Sequence, residues 1–133
     1  MPETEKITIN LGPVDLGRID VLVEQGLYSN RTDLIRTAIR NQLDRHETVV
    51  KDHAARWSFT IGVEVVTRAA LEKLRKDGKQ ASFRVIGSLS IADDVTAELA
   101  HATIKSLFVR GSFHAPDEVR DVLADRINSR GLL

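Results

Sequence analysis

No cysteine occurs among the 133 residues. Disulfides, thiolate metal sites and cysteine nucleophiles are therefore excluded. No apolar run approaches the roughly 18 residues that would suggest a membrane span. The opening Met-Pro-Glu-Thr-Glu-Lys carries acids and no apolar core, so no secretory leader is expected. Neither sign of charge dominates, with 19 Lys/Arg against 19 Asp/Glu. Any anionic partner must be met by cations gathered on one face, because bulk composition does not supply them. Catalytic signatures are missing too. There is no Gly-rich phosphate loop, nucleophile elbow or zinc-protease helix motif, and no enzymatic activity is expected.

Histidine is sparse and scattered: His46, His53, His101 and His114. His46 and His53 are two helical turns apart and could share a face. A transition-metal site wants clustered His or Cys, so surface histidines are the simpler reading, and neither metal nor cofactor is expected. The acidic pairs Asp93-Asp94 and Asp117-Glu118 recur at matching places in a repeat described below. That recurrence favours a structural job at helix starts, where acids complement the helix dipole, over acid–base catalysis.

What is present suits a folded chain, 42% hydrophobic and 29% charged. Residues 5–11 alternate strictly, with Ile7, Ile9 and Leu11 on one face and Lys6, Thr8 and Asn10 on the other. Period two with β-branched residues predicts a strand, which Gly12-Pro13 ends. Pro13 suits a first helical position. Leu16, Ile19, Leu22 and Val23 then recur at helical spacing, and Gly26 is placed to cap the end. A second helix is expected from Ser29 or Asn30, with Asp33 three residues after Asn30 as in a capping box. Leu34, Ile35, Ala38, Ile39 and Leu43 form its apolar stripe, while Arg36, Arg40 and Arg45 fall on a solvated face.

A lone strand has an unpaired backbone edge, and two short helices cannot close a core around it. The economical solution is a two-fold homodimer in which strand pairs antiparallel with strand. Lys6, Thr8 and Asn10 of both chains would then share the outer face of a ribbon. Such a ribbon fits the major groove of double-stranded DNA, where Lys reads guanine, Asn reads adenine and Thr takes a base edge or a thymine methyl.

The run Lys6-Ile-Thr-Ile-Asn-Leu11, followed by Gly26-Leu-Tyr-Ser-Asn-Arg-Thr-Asp-Leu-Ile-Arg-Thr-Ala-Ile-Arg40, closely resembles the ribbon-helix-helix (CopG/MetJ/Arc-like) repressors. The resemblance covers residues 5 to about 47. It implies a sequence-specific DNA-binding transcriptional regulator, a repressor, located in the cytoplasm on the nucleoid. It makes Lys6, Thr8 and Asn10 the base-reading residues. It makes Ser29, Asn30, Arg31 and Thr32 a phosphate clamp, in keeping with the free N–H groups and positive dipole end of a helix start.

The remainder does not resemble a named family. Val85-Ile-Gly-Ser-Leu-Ser-Ile-Ala-Asp-Asp-Val95 aligns with Val109-Arg-Gly-Ser-Phe-His-Ala-Pro-Asp-Glu-Val119 at a constant offset of 24. A weaker copy at Phe59–Val66 is out of phase by one residue. Each copy reads as a strand, a Gly-Ser placed for tight backbone packing or a bulge, and a crossover. Three such units are expected, near 58–77, 82–104 and 106–128, stacked as a small parallel sheet or a short solenoid. Residues 93–104 fit helix or strand equally. Pro116 opens a helix that Val119, Val122, Leu123 and Ile127 would continue.

The expected fold class is α+β. A ribbon-helix-helix module at 1–47 (an intertwined β-α-α dimer) precedes a helical extension or linker at 48–57 and a small α/β domain at 58–133. That last domain would bind an effector or build a tetramer or higher assembly. Two other roles remain open. One is an antitoxin that autoregulates and binds a toxin through its C-terminal half; the other is a self-associating plasmid-maintenance or scaffold protein.

Overall fold

The computed structural model describes residues 4–128. Two compact units divide it, the first running to Asp52 and the second starting at His53.

In the first unit, residues 4–12 are exposed, belong to no helix and pair with no strand among the described residues. Helix α1 (Pro13–Glu24) begins with its proline at the first position, where a missing N–H leaves no bond unmade. It ends in a Schellman turn: Gly26 N–H donates to Val23 O at 3.0 Å and Leu27 N–H to Leu22 O at 3.1 Å. Gly26 sits at φ +80°, which a Cβ would strain. Helix α2 (Arg31–Arg45) starts at Asn30, whose Oδ1 accepts from Asp33 N–H at 2.8 Å. Asp33 returns the bond one residue further out, its Oδ2 accepting from Ser29 N–H at 2.9 Å. Two orphan donors are thus satisfied by side chains that the sequence placed three apart.

Neither α1 nor α2 buries a single residue fully. Ile7, Ile9, Leu11, Val14, Val21, Leu22, Leu27, Ile39 and Leu43 are all exposed. Helix α3 (Glu47–Trp57) is helical as expected, but it does not simply extend α2. His46 leaves helical geometry between them at φ −105°, ψ 19°. Ser58, at φ +59°, turns the chain out of α3, and Phe59 N–H donates back to Ala54 O at 2.8 Å.

The second unit has its own core. It runs β1 (Thr60–Val66), α4 (Arg68–Lys76), β2 (Ala81–Ile91), α5 (Ala97–Thr103), β3 (Ile104–His114), α6 (Asp117–Val122) and β4 (Ile127–Asn128). All pairings are parallel, in the order β1-β2-β3-β4. Successive right-handed crossovers in such an order return on one side of the sheet. Leu71 from α4, Leu99 and Ala100 from α5, and Val119 from α6 bury there against Val85, Leu89, Ile91, Leu107 and Val109.

The repeat is realised as strand register. Gly62 pairs with Gly87, and Gly87 with Gly111. The glycines stand 25 (87 − 62) and 24 (111 − 87) residues apart, so the slipped first copy differs by one residue in its crossover and not in its strand. Tight packing, not a bulge, explains them. A Cβ on Gly87 would lie 2.0 Å from Gly62 O, and one on Gly111 would lie 2.0 Å from Gly87 O.

Two expectations need correcting. Residues 97–103 are helix, which settles the ambiguous stretch, yet Asp93 and Asp94 lie in a turn before it. The cap is Thr96, whose Oγ1 accepts from Leu99 N–H at 3.2 Å. Thr67 does the same for α4. The sequence repeat therefore holds along the strand and slips in the loop that follows, because a capping hydroxyl decides where the helix starts. In the other copy Asp117 and Glu118 do occupy the first turn of α6. That helix stops at Val122, however. Ile127 leaves the helical pattern for β4, pairing with Leu107 on the edge of β3. Arg126 supports this exit by donating to the carbonyls of His101 at 2.6 Å and Ile104 at 2.7 Å, at the end of α5.

Candidate nucleic-acid interface

Lys6, Thr8 and Asn10 are exposed on the extended leading segment. Both charged and apolar residues of that segment border α2. Lys6, Ile7 and Ile9 line a groove of about 440 Å³ with Thr32, Ile35, Arg36 and Ile39. Alternation along the segment and the 3.6-residue repeat of α2 together place Ile7, Ile9, Ile35 and Ile39 on one surface.

At the start of α2, Ser29, Asn30 and Thr32 line a concavity of about 400 Å³ with Asp33, Arg36 and Arg40. Thr32, Arg36 and Arg40 are one turn apart in succession, so they share a face. The sequence put Arg36 and Arg40 on a solvated face. They are exposed, and they also carry their guanidiniums to the same wall as the helix start. The i, i+4, i+8 spacing from Thr32 was the available signal. Asp33 adds a negative charge to this wall, partly offset by the Ser29 N–H it accepts from.

Arg31 is not on that wall. It reaches back to α1 and grips Asp20 with two bonds, Nε to Oδ1 at 2.8 Å and Nη2 to Oδ2 at 2.9 Å. Hydrogen bonding from Arg31 holds the Asp20 carboxyl below the usual carboxylate range, and the same bond raises the Arg31 guanidinium. A depressed carboxylate contributes while ionised, and its contribution is lost as pH falls through its folded-state value. The α1–α2 brace should therefore persist through mildly acid pH and fail only in stronger acid. Following the Asp20 carboxyl resonance by NMR titration checks this; a midpoint at or above the ordinary aspartate value refutes it.

The cap offers a separate test. Asn30→Ala should lower the stability of the first unit by about 1 kcal/mol, read from chemical denaturation, since it leaves the Asp33 N–H without its acceptor. An unchanged midpoint would show that the cap is idle.

His46 approaches Gln42 Nε2 at 3.1 Å, and His53 packs on the Phe59 ring at 5.6 Å. Among the described residues no three His, Asp or Glu gather as a metal site, and no helix is long and apolar enough to cross a membrane.

Comparison with known proteins bears on residues 2–120, which match the model of the ribbon-helix-helix transcriptional regulator family. A curated relative, the transcriptional regulator CdrS of Halobacterium salinarum, is 31% identical over 42 residues, spanning 32% of this chain and 76% of that protein. No solved structure matches. The family match takes in most of the second unit as well as the leading motif. With Lys6, Thr8 and Asn10 exposed on the leading segment, a capped helix start and two arginines beside it, the chain belongs to the ribbon-helix-helix family of DNA-binding transcriptional regulators.

Proposed function

We propose that the protein is a repressor acting as a two-fold dimer, with residues 5–11 of two chains paired as an antiparallel ribbon in the major groove. The single observation that carries this reading is the coreless first unit. Ile7 is 74% exposed and Ile9 54%, while no residue of α1 or α2 is fully buried. An apolar surface of this kind calls for a partner, and a twin strand also completes the unpaired backbone edge.

On this reading Lys6, Thr8 and Asn10 contact bases. Ser29, Asn30 and Thr32 hold a phosphate with help from Arg36 and Arg40. Arg31 joins them when a phosphate draws it from Asp20, an exchange made easy because an exposed ion pair is worth little. The module at 1–47 would dimerise and bind DNA, 48–57 would connect, and 58–133 would assemble chains or bind an effector. A second unit with a complete core favours that role over a toxin-wrapping tail, which folds only on its target.

Titrating operator and scrambled DNA at several salt concentrations tests the assignment. Asn10→Ala should erase about 1–3 kcal/mol of preference for the operator while leaving scrambled-DNA affinity intact. Retained selectivity would remove Asn10 from the base-reading set. Asp20→Asn should strengthen both DNAs alike and steepen the salt dependence by about one released ion. No change in slope would mean that Arg31 never reaches a phosphate.

A further inference from the structure

Strand β1 lies at the edge of the second unit's sheet, and its outer side pairs with no strand among the described residues. Its sequence, Thr-Ile-Gly-Val-Glu-Val-Val, contains no proline or lysine, and its register with β2 runs unbroken over all seven residues. Exposed edges are ordinarily guarded by such residues, by inward-pointing charges or by bulges; here the one guard is Glu64, on the helix-covered face. Thr60, Glu64 and Val66 pair with Val85, Leu89 and Ile91, which bury under the helices. Ile61, Val63 and Val65 therefore point to the opposite face, where they are 53%, 69% and 59% exposed.

We propose that β1 pairs antiparallel with β1 of a second copy about a two-fold axis at Val63, joining two sheets edge to edge. The strand is most fully self-complementary in that register, the one that pairs all seven residues. Val63 opposes Val63, Ile61 opposes Val65, and Thr60 opposes Val66, so apolar or β-branched side chains meet on each face. Glu64 opposes Gly62. Centring on Glu64 instead sets two carboxylates opposite each other, which is destabilising. Centring on Gly62 sets Ile61 against Val63 but Thr60 against Glu64, and leaves Val65 and Val66 outside the ladder. A slip by one residue puts the helix-covered face of one sheet beside the open face of the other.

A ladder of seven residues falls well short of the roughly 1,200 Å² of a free-standing interface. The pairing thus rests on the proposed dimer of the first unit, which raises the local concentration of second units to about the millimolar range.

The absence of native cysteine makes the test direct. In the full chain, Val63→Cys should form a covalent dimer under mild oxidation, since opposed Cα atoms about 4.5–5.5 Å apart suit a disulfide. It should do so at least about tenfold faster than Lys73→Cys on α4, an exposed site that reports random collision. A mixture of Ile61→Cys and Val65→Cys chains should link to each other, and neither to itself. Self-linking of Ile61→Cys, or a Val63→Cys rate no greater than the Lys73→Cys rate, overturns the pairing. If that failure occurs in a dimer that still binds DNA, the reading of the first unit stands. If the chain is a monomer that binds no DNA, both fall together.

Discussion

Gly87→Ala should unfold the second unit, while Gly62→Ala should only weaken it. The added methyl at residue 87 would sit 2.0 Å from the Gly62 carbonyl oxygen and 2.9 Å from its carbon. Those are backbone atoms in the middle of a seven-residue ladder, so relief requires β1 and β2 to part. The residue is also at φ +139°, a conformation alanine resists. Parting the strands exposes Val85 and Leu89, both fully buried, each worth about 1.5–3 kcal/mol. A loss above about 4 kcal/mol is expected. At Gly62 nothing lies within 4 Å of a Cβ, and only backbone strain at φ +142° remains, about 1–3 kcal/mol. The lone tryptophan, Trp57, makes the contrast measurable. Its carbonyl accepts from Arg84 Nη1 at 2.9 Å, so its fluorescence should follow unfolding of this unit in denaturant. Equal midpoints for the two variants would show that the close approach of the strands is not what these glycines serve.

Ile39→Asp should abolish both dimerisation and DNA binding. Ile39 is 43% exposed and lines a groove together with Ile7 and Ile9. In a single chain a carboxylate there meets water and does little. In the proposed dimer it would be buried without a partner, twice over, at a cost of several kcal/mol per chain. Mass in solution should fall to that of one chain, and operator affinity should drop by about a hundredfold or more. The Trp57 unfolding transition should hold its midpoint, because the second unit has a separate core. A dimer that survives Ile39→Asp with its DNA affinity would locate the interface elsewhere.

These two expectations mark different limits of what could be read from the amino acids. The helices of the first unit were legible almost to the residue. Pro13, Gly26, Asn30 and Asp33 act on backbone groups within a few positions of themselves, and such short-range bonds depend on neighbours in sequence. Alternation predicted a strand at 5–11, but among the described residues it pairs with no strand and forms none. Its place beside α2 follows from where its isoleucines face.

Partner choice over longer separations was not legible. The resemblance put Arg31 in a phosphate clamp, and finding Asp20 as its partner in the free chain required the angle between α1 and α2. Arg36 and Arg40 looked merely solvated until the helix start was seen beside them. In the second unit, the 24-residue offset pointed to stacked parallel strands, but the register of glycine on glycine came from the structure, and the repeat misplaced the acids before α5 and carried α6 too far. The duplication constrains residues that must stack in register. Loops between them are free to slip until a capping threonine or an open strand edge stops them.

By itself, then, the order of amino acids carried the family resemblance in its leading motif, and determined the local helix ends and the repeated strand, which are written in spacings of two, three, four or 24 residues. Only the tertiary structure decided which arginine is tied down, where the second unit's helices begin and end, and why Gly87 must remain glycine. Those outcomes depend on atoms brought within about 3 Å by packing, and separation along the chain carries no record of that.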